Sequence, residues 1–72
     1  MQEKRFLALI GKRIAHFRKE RGVTQQTLAD WCEMERSAIA RLETGSENVT
    51  ALTLLKLSIA LDIRPKDFFD FE

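Results

Sequence analysis

The stretch "TQQTLADWCEMERSAIARLETG", residues 24–45, decides the fold because it holds two short helical patterns separated by a tight break. The apolar positions of these patterns are Leu28, Ala29, Cys32, Ile39 and Leu42. Apolar residues that recur at intervals of three and four are typical of amphipathic helices that bury one face. The stretch therefore predicts two helices, over about 25–32 and 36–43, that share one core.

Glycine, threonine and proline mark further helix boundaries on either side. The marking residues are Gly22, Thr24, Gly45, Thr50 and Pro65. Threonine is a good N-cap, glycine suits the left-handed residue after a helix, and proline suits a first helical turn. These signals delimit a first helix over about 3–20, a fourth over about 51–61, and a short fifth helix in "PKDFF".

The predicted fold class is all-α, because every segment is helix-sized and no alternating strand pattern occurs. We expect a single domain over residues 1–72, built as a compact bundle of five short helices. Gly11 lies inside the apolar pattern of the first helix, which suggests close contact with a neighbouring helix. A domain this small buries only about 60% of its unfolded surface, so a partner subunit would add stability.

The composition argues against several other classes of protein. One cysteine excludes an intramolecular disulfide and a multi-cysteine zinc site. The start, "MQEKRF", is polar and no apolar run approaches about 20 residues, so we expect a cytoplasmic protein without a membrane span. His16 and Cys32 alone do not make a metal site, and Ser37 has no neighbouring base. We therefore predict no enzyme activity, no metal and no cofactor.

Charge is distributed unevenly along the chain, although the formal net charge is only +1. Residues 1–21 hold seven Lys or Arg against two Glu, which is a net +5. Residues 62–72 hold two basic against four acidic residues, which is a net −2. This pattern fits a positive surface for a polyanion, but charge alone favours the other interpretation, a solvated basic helix beside an acidic tail.

The third helix has an open face opposite its buried residues. Arg36 and Arg41 flank the small residues Ser37, Ala40 and Thr44 on that face. An α-helix fits the major groove of DNA, and arginine can bind guanine O6 and N7 with a two-pronged contact. One hypothesis is a DNA recognition helix; the other is an ordinary surface helix with solvated arginines.

The order of several segments resembles the phage-repressor type of helix-turn-helix domain, the Cro/repressor or XRE family. The segments are "IGKRIAHFRKERGVTQQTLA", "MERSAIARLETG", "NVTALTLLKLSIALDI" and "DFF", which together cover about residues 10–69. The resemblance implies a phage-repressor-like bundle with the motif at about 24–44. It also implies sequence-specific binding to double-stranded DNA and a role in transcriptional regulation.

The resemblance also assigns roles to individual residues. The implied DNA-binding positions are Thr24, Gln25, Arg36, Ser37, Ala38, Arg41 and Thr44. Among them Gln25 would touch phosphate and brace the recognition helix. Arg18 and Glu43 occupy the positions of a partly buried structural ion pair. The chain departs from the family pattern at Glu33, where glycine is common, and at Glu35, where Ser or Thr usually caps the helix.

The fourth helix has two apolar faces, whereas a monomer needs only one. Leu54, Leu57 and Leu61 form the predicted core face. The second face predicts a homodimer interface made of Leu52, Leu55, Ile59 and Phe71. The alternative is that the fifth helix and the tail cover this second face within one chain.

Three biological roles fit a small DNA-binding regulator: an autoregulating repressor, a restriction–modification controller, or an antitoxin with a toxin partner. The alternative function is a protein–protein interaction module of the same fold with weak or no DNA binding. The low net charge and the acidic residues beside the third helix favour that alternative.

Overall fold

A computed structural model of the protein describes residues 2–71 as four α-helices and one 3₁₀ helix. The α-helices are α1 (Glu3–Glu20), α2 (Gln25–Trp31), α3 (Arg36–Thr44) and α4 (Ala51–Leu61), and the 3₁₀ helix is Pro65–Phe69. No strand occurs within the described range. The predicted all-α fold is confirmed, and the four α-helices begin and end within one residue of their predicted positions.

The predicted fifth helix is wrong in type, because Pro65–Phe69 forms a 3₁₀ helix. The backbone N–H of Asp67 donates to the carbonyl of Arg64 at 2.9 Å, three residues back. The Asp67 carboxylate in turn accepts from the backbone N–H of Arg64 at 3.0 Å. A segment of five residues satisfies more of its backbone with these short-range bonds than a single α-helical turn would. The tight turn also brings Phe68 into the core, where it is fully buried.

One hydrophobic core joins all five helices. Its buried side chains are Ile10, Ile14, Leu28, Ala29, Cys32, Ile39, Leu42, Leu54, Leu57, Leu61 and Phe68. α3 packs against α1 and α2, while the 3₁₀ helix packs against α1 and α4. The predicted core face of α4 is therefore confirmed. None of the helices formed by residues 2–71 has both the length and the apolar composition needed to cross a membrane.

Two threonine caps fix where the second and fourth helices begin. The Thr24 hydroxyl accepts from the backbone N–H of Thr27 at 3.1 Å, and Thr50 does the same for Thr53 at 3.1 Å. Each hydroxyl replaces a bond that the first turn of a helix cannot make internally. Both predicted N-caps are confirmed.

Gly11 sets the distance between α1 and the end of α3. A Cβ built on Gly11 would lie 2.4 Å from the carbonyl oxygen of Leu42 and 2.5 Å from that of Glu43. Any larger side chain would push the helices apart, because backbone atoms cannot move away as a flexible side chain can. The predicted close helix contact is thus present, and it places the open face of α3 relative to the rest of the bundle.

Candidate nucleic-acid interface

α3 presents one polar face to solvent and buries the other. Arg36, Ser37, Arg41 and Thr44 are exposed, Ala38 and Ala40 are half-buried, and Ile39 and Leu42 belong to the core. Five of the seven predicted DNA-binding positions lie on α3. Four of them are exposed, and the fifth, Ala38, is half-buried. The surface formed by Arg36, Ser37, Ala38, Arg41 and Thr44 is called the α3 face below.

Gln25 connects the α3 face to the interior of the protein. Its side-chain oxygen accepts from Nη1 of Arg36 at 3.2 Å, and its side-chain nitrogen donates to Oε1 of Glu43 at 2.9 Å. An amide can bridge a cation and a carboxylate because it carries both an acceptor and a donor. Gln25 therefore ties the beginning of α3 to a residue near the end of the same helix.

Arg18 completes this network from α1. Its Nε and Nη2 donate to the two carboxylate oxygens of Glu43 at 2.6 and 3.1 Å, and its Nη1 donates to the carbonyl of Val23 at 2.9 Å. The exposed fractions of the Arg18 and Glu43 side chains are 12% and 7%. The geometry is a two-pronged arginine–carboxylate contact, which fixes orientation as well as charge. The structure thus brings the two predicted ion-pair residues together and joins them to Gln25.

Arg41 makes a second arginine–glutamate pair, this time at the surface. Its Nε donates to Oε1 of Glu47 at 3.2 Å, and the two side chains are 49% and 44% exposed. Glu47 was not identified by the sequence reasoning. The only signal was an acidic residue in the loop "SENV", two residues past the glycine that ends α3.

Thr44 and Ser46 bind the backbone of α3, although Thr44 was expected at the phosphate backbone. The Thr44 hydroxyl donates to the carbonyl of Arg41 at 3.0 Å, and the Ser46 backbone N–H reaches the same carbonyl at 3.1 Å. Gly45 has φ +76°, the left-handed conformation that closes a helix in this way. Both residues are exposed, so this internal bonding is compatible with a contact to phosphate.

The turn between α2 and α3 places acidic residues beside the α3 face. Glu33 has φ 55°, a left-handed conformation that glycine adopts without strain. Glu35 is the N-cap of α3, and its side chain makes no capping bond. Both are exposed. The departure at Glu33 therefore gives a strained backbone. The departure at Glu35 leaves the beginning of α3 without a side-chain cap.

The remaining chemically reactive side chains do not form a site. Cys32 is buried, and burial raises the pKa of its thiol, with Lys56 acting in the opposite direction. A neutral buried thiol is a poor nucleophile and a poor metal ligand. Nε2 of His16 lies 3.3 Å from Oε2 of Glu20 on the exposed side of α1. Within residues 2–71 no group of three His, Cys, Asp or Glu side chains could hold a metal ion.

The second apolar face of α4 is open to solvent. Leu52, Ile59 and Leu55 are 72%, 71% and 45% exposed, so neither the 3₁₀ helix nor the described tail covers them. Phe71, predicted to extend this face, instead forms a T-shaped contact with Phe6 of α1, with ring centroids 6.0 Å apart, and is partly buried. The face called the α4 face below therefore consists of Leu52, Leu55 and Ile59.

Comparisons with known proteins match this arrangement. A family model described as helix-turn-helix matches residues 14–68. The restriction-modification controller protein C.AhdI from Aeromonas hydrophila has a structure similar to this one, with TM-score 0.85 and 38% identity, covering 88% of this chain and 96% of that chain. The control protein C.BamHI from Bacillus amyloliquefaciens is 34% identical over 64 residues, covering 88% of this chain and 79% of the relative. The clp gene regulator ClgR from C. glutamicum has TM-score 0.85 at 25% identity, covering 89% and 83% of the two chains.

Proposed function

The chain belongs to the helix-turn-helix family, and we propose that it is a transcriptional regulator that binds double-stranded DNA sequence-specifically through α3. The observation that carries this proposal is the α3 face, where two exposed arginines flank small residues on a helix held at both ends. Small residues allow the helix to lie deep in the major groove, where arginine distinguishes guanine from the other bases.

Arg36 and Arg41 have different roles in this proposal. Arg41 lies exposed beside the small residues of the α3 face and would bind a base. Arg36 is linked to Gln25, so these two side chains would approach the DNA together, one at a base and one at a phosphate. Contacts to phosphate fix the position of the protein, whereas contacts to base edges give specificity.

We further propose that the protein acts as a homodimer joined through the α4 face. Three neighbouring exposed aliphatic side chains on one helix are unusual for a soluble monomer. A twofold dimer places two recognition helices about 34 Å apart, one turn of the DNA helix, and doubles the number of bases that are bound. A palindromic operator would be the target.

Among the three regulatory roles, the control of a restriction–modification system has the most support. Two of the three relatives described above are named as control or controller proteins. None of those three is named as an antitoxin. We therefore rank the controller role above the autoregulating repressor and the antitoxin with its toxin partner.

Selection of bound sites from a random duplex library would test DNA recognition. We expect a palindromic site. A plot of log affinity against log salt concentration should have a slope of about −0.9 for each phosphate contact. Arg41→Ala should lose about 1–3 kcal/mol of discrimination at one base pair of each half-site. Lys66→Ala, which removes the same charge from the 3₁₀ helix, should keep that preference. A native protein that selects no site, or binds DNA independently of salt, would favour the protein-interaction alternative.

The oligomeric state provides a separate test of the α4 face. Sedimentation at micromolar concentration should give a dimer for the native chain and a monomer for Leu52→Lys/Ile59→Lys, with helical content unchanged. Phe69→Lys places one lysine, rather than two, at an exposed ring of the 3₁₀ helix and should leave the dimer intact. A native monomer whose mass does not respond to the double substitution would refute the interface.

A further inference from the structure

Among residues 2–71, the Arg41 guanidinium is held through only one of its donors. Glu47 accepts from Nε at 3.2 Å, and no hydrogen bond from Nη1 or Nη2 to another of residues 2–71 occurs. The guanidinium group has five N–H donors in a fixed plane. The pair with Glu47 therefore restrains the group at its inner nitrogen and leaves the terminal nitrogens available.

The position of Glu47 is fixed by the backbone that precedes it. Ser46 is bonded to the carbonyl of Arg41 through both its backbone N–H and its hydroxyl, at 3.1 and 3.3 Å. A Cβ on Gly45 would lie 2.6 Å from Cα of Ala8, so this part of the loop also lies directly on α1. The carboxylate acceptor is consequently attached to a segment that is anchored both to Arg41 and to α1.

We propose that Glu47 is a specificity-determining residue, whose carboxylate orients the Arg41 guanidinium so that Nη1 and Nη2 bind guanine O6 and N7. This inference rests on the proposed DNA-binding function. A guanidinium that is already oriented loses less side-chain freedom on binding, and the geometry of its two-pronged contact excludes other bases more strongly.

The negative charge of Glu47 acts differently on the two kinds of DNA binding. Near phosphates it repels every sequence, so it weakens non-specific association. Through Arg41 it favours guanine at one position of the site. Glu47 should therefore increase the ratio of specific to non-specific affinity while it lowers the non-specific affinity itself.

Two substitutions separate orientation from charge. Glu47→Ala removes both the charge and the acceptor, whereas Glu47→Gln removes the charge and keeps an acceptor oxygen. Both should raise affinity for a non-specific duplex by the same factor, about two to three, because both remove one charge beside the phosphates. Only Glu47→Ala should lower discrimination at the Arg41-dependent base pair, by roughly three- to tenfold.

The measurement uses the site selected by the native protein and a duplex changed only at the base pair where Arg41→Ala loses its preference. Affinities for both duplexes are measured at several salt concentrations for the native chain and for each Glu47 variant. The same Glu47→Ala change in an Arg41→Ala background should leave the ratio of the two affinities unchanged. Glu35→Gln, which removes an exposed charge at the other end of α3, should also leave that ratio unchanged.

Several results would overturn the inference. If Glu47→Ala raises both affinities by one factor and keeps the ratio, Glu47 is only a competitor of DNA for Arg41. If the ratio falls equally in the Arg41→Ala background, Glu47 acts without Arg41. In either case the native protein still binds its site and the proposed function stands. A native chain that selects no duplex would refute the proposed function and this inference together.

Discussion

The protein contains two arginine–glutamate pairs that differ in their surroundings. Arg18 and Glu43 are 12% and 7% exposed and form two short bonds, and Glu43 also accepts from Gln25. Arg41 and Glu47 are 49% and 44% exposed and form one bond of 3.2 Å. Water screens the exposed pair of Arg41 and Glu47. If Arg18 or Glu43 lost its partner, the remaining charge would lie in a poorly solvated site. The same two residue types are therefore held in a poorly solvated site in one place and lie exposed to solvent in the other.

The largest expected effect separates these two pairs by stability. Glu43→Ala should lower the free energy of unfolding by about 3–5 kcal/mol, because it leaves the Arg18 charge without its partner in a partly buried site. Glu47→Ala should change it by less than about 1 kcal/mol, as for other exposed pairs. Urea denaturation followed by circular dichroism measures both. Equal losses in the two variants would show that burial does not distinguish the pairs.

A milder variant keeps this comparison measurable if Glu43→Ala does not fold. Glu43→Gln retains an acceptor for Arg18 and Gln25 but loses the charge, so its stability should lie between the native protein and Glu43→Ala. A double-mutant cycle with Arg18→Met should show strong coupling to Glu43, and the matching cycle of Arg41→Ala with Glu47→Ala should show coupling below about 1 kcal/mol.

The next effect concerns Gly45, the glycine that lies in the chain between the two residues of the exposed pair. Gly45→Ala should destabilise the protein by about 2–4 kcal/mol, from a left-handed residue plus a clash with the backbone of α1. Gly22→Ala is the matched control, because Gly22 has φ +70° but nothing within 4 Å of its added Cβ. Gly22→Ala should lower the free energy of unfolding only by the cost of a left-handed alanine, about 1–2 kcal/mol. Indistinguishable melting curves for the two variants would mean that the loop does not lie against Ala8.

The smallest expected effect is a gain in stability when an exposed acidic residue, Glu33, is replaced by glycine. Glu33→Gly should raise the free energy of unfolding by about 1 kcal/mol, because glycine adopts φ 55° without the steric cost of a side chain. Glu33→Gly and Glu47→Ala each remove one negative charge, but they should give different results because only Glu33 has a left-handed backbone. Glu33→Ala, which loses the charge but keeps Cβ, should show no such gain in thermal denaturation.

Features that depend on local sequence were predicted well. Helix bounds, the N-caps at Thr24 and Thr50, and the core face of α4 follow from spacing and capping preferences within a few residues. The family resemblance was also correct, since the helix-turn-helix model matches most of the chain. The open face of α3 follows from the same periodicity, because it lies opposite Ile39 and Leu42.

Three features that depend on the three-dimensional path of the backbone were not predicted. The ring of Phe71 packs on Phe6, at the opposite end of the chain, and spacing within the tail cannot indicate that partner. The 3₁₀ geometry at Pro65 depends on how Phe68 reaches a core formed by other helices. The contact between Glu47 and Arg41 requires the exact course of the chain after Gly45. Each depends on the three-dimensional path of the backbone and not on the residue types alone.

The network through Gln25 has a consequence for the thermodynamics of association. α3 is bonded to α2 at its first residue and to its own following loop at its last turn, through hydrogen bonds within the protein itself. The conformational entropy of ordering this helix is thus lost during folding, and association with DNA does not require a second ordering step. The heat-capacity change of association should accordingly be set by the apolar surface buried in the groove, without the additional contribution that accompanies the folding of a disordered segment.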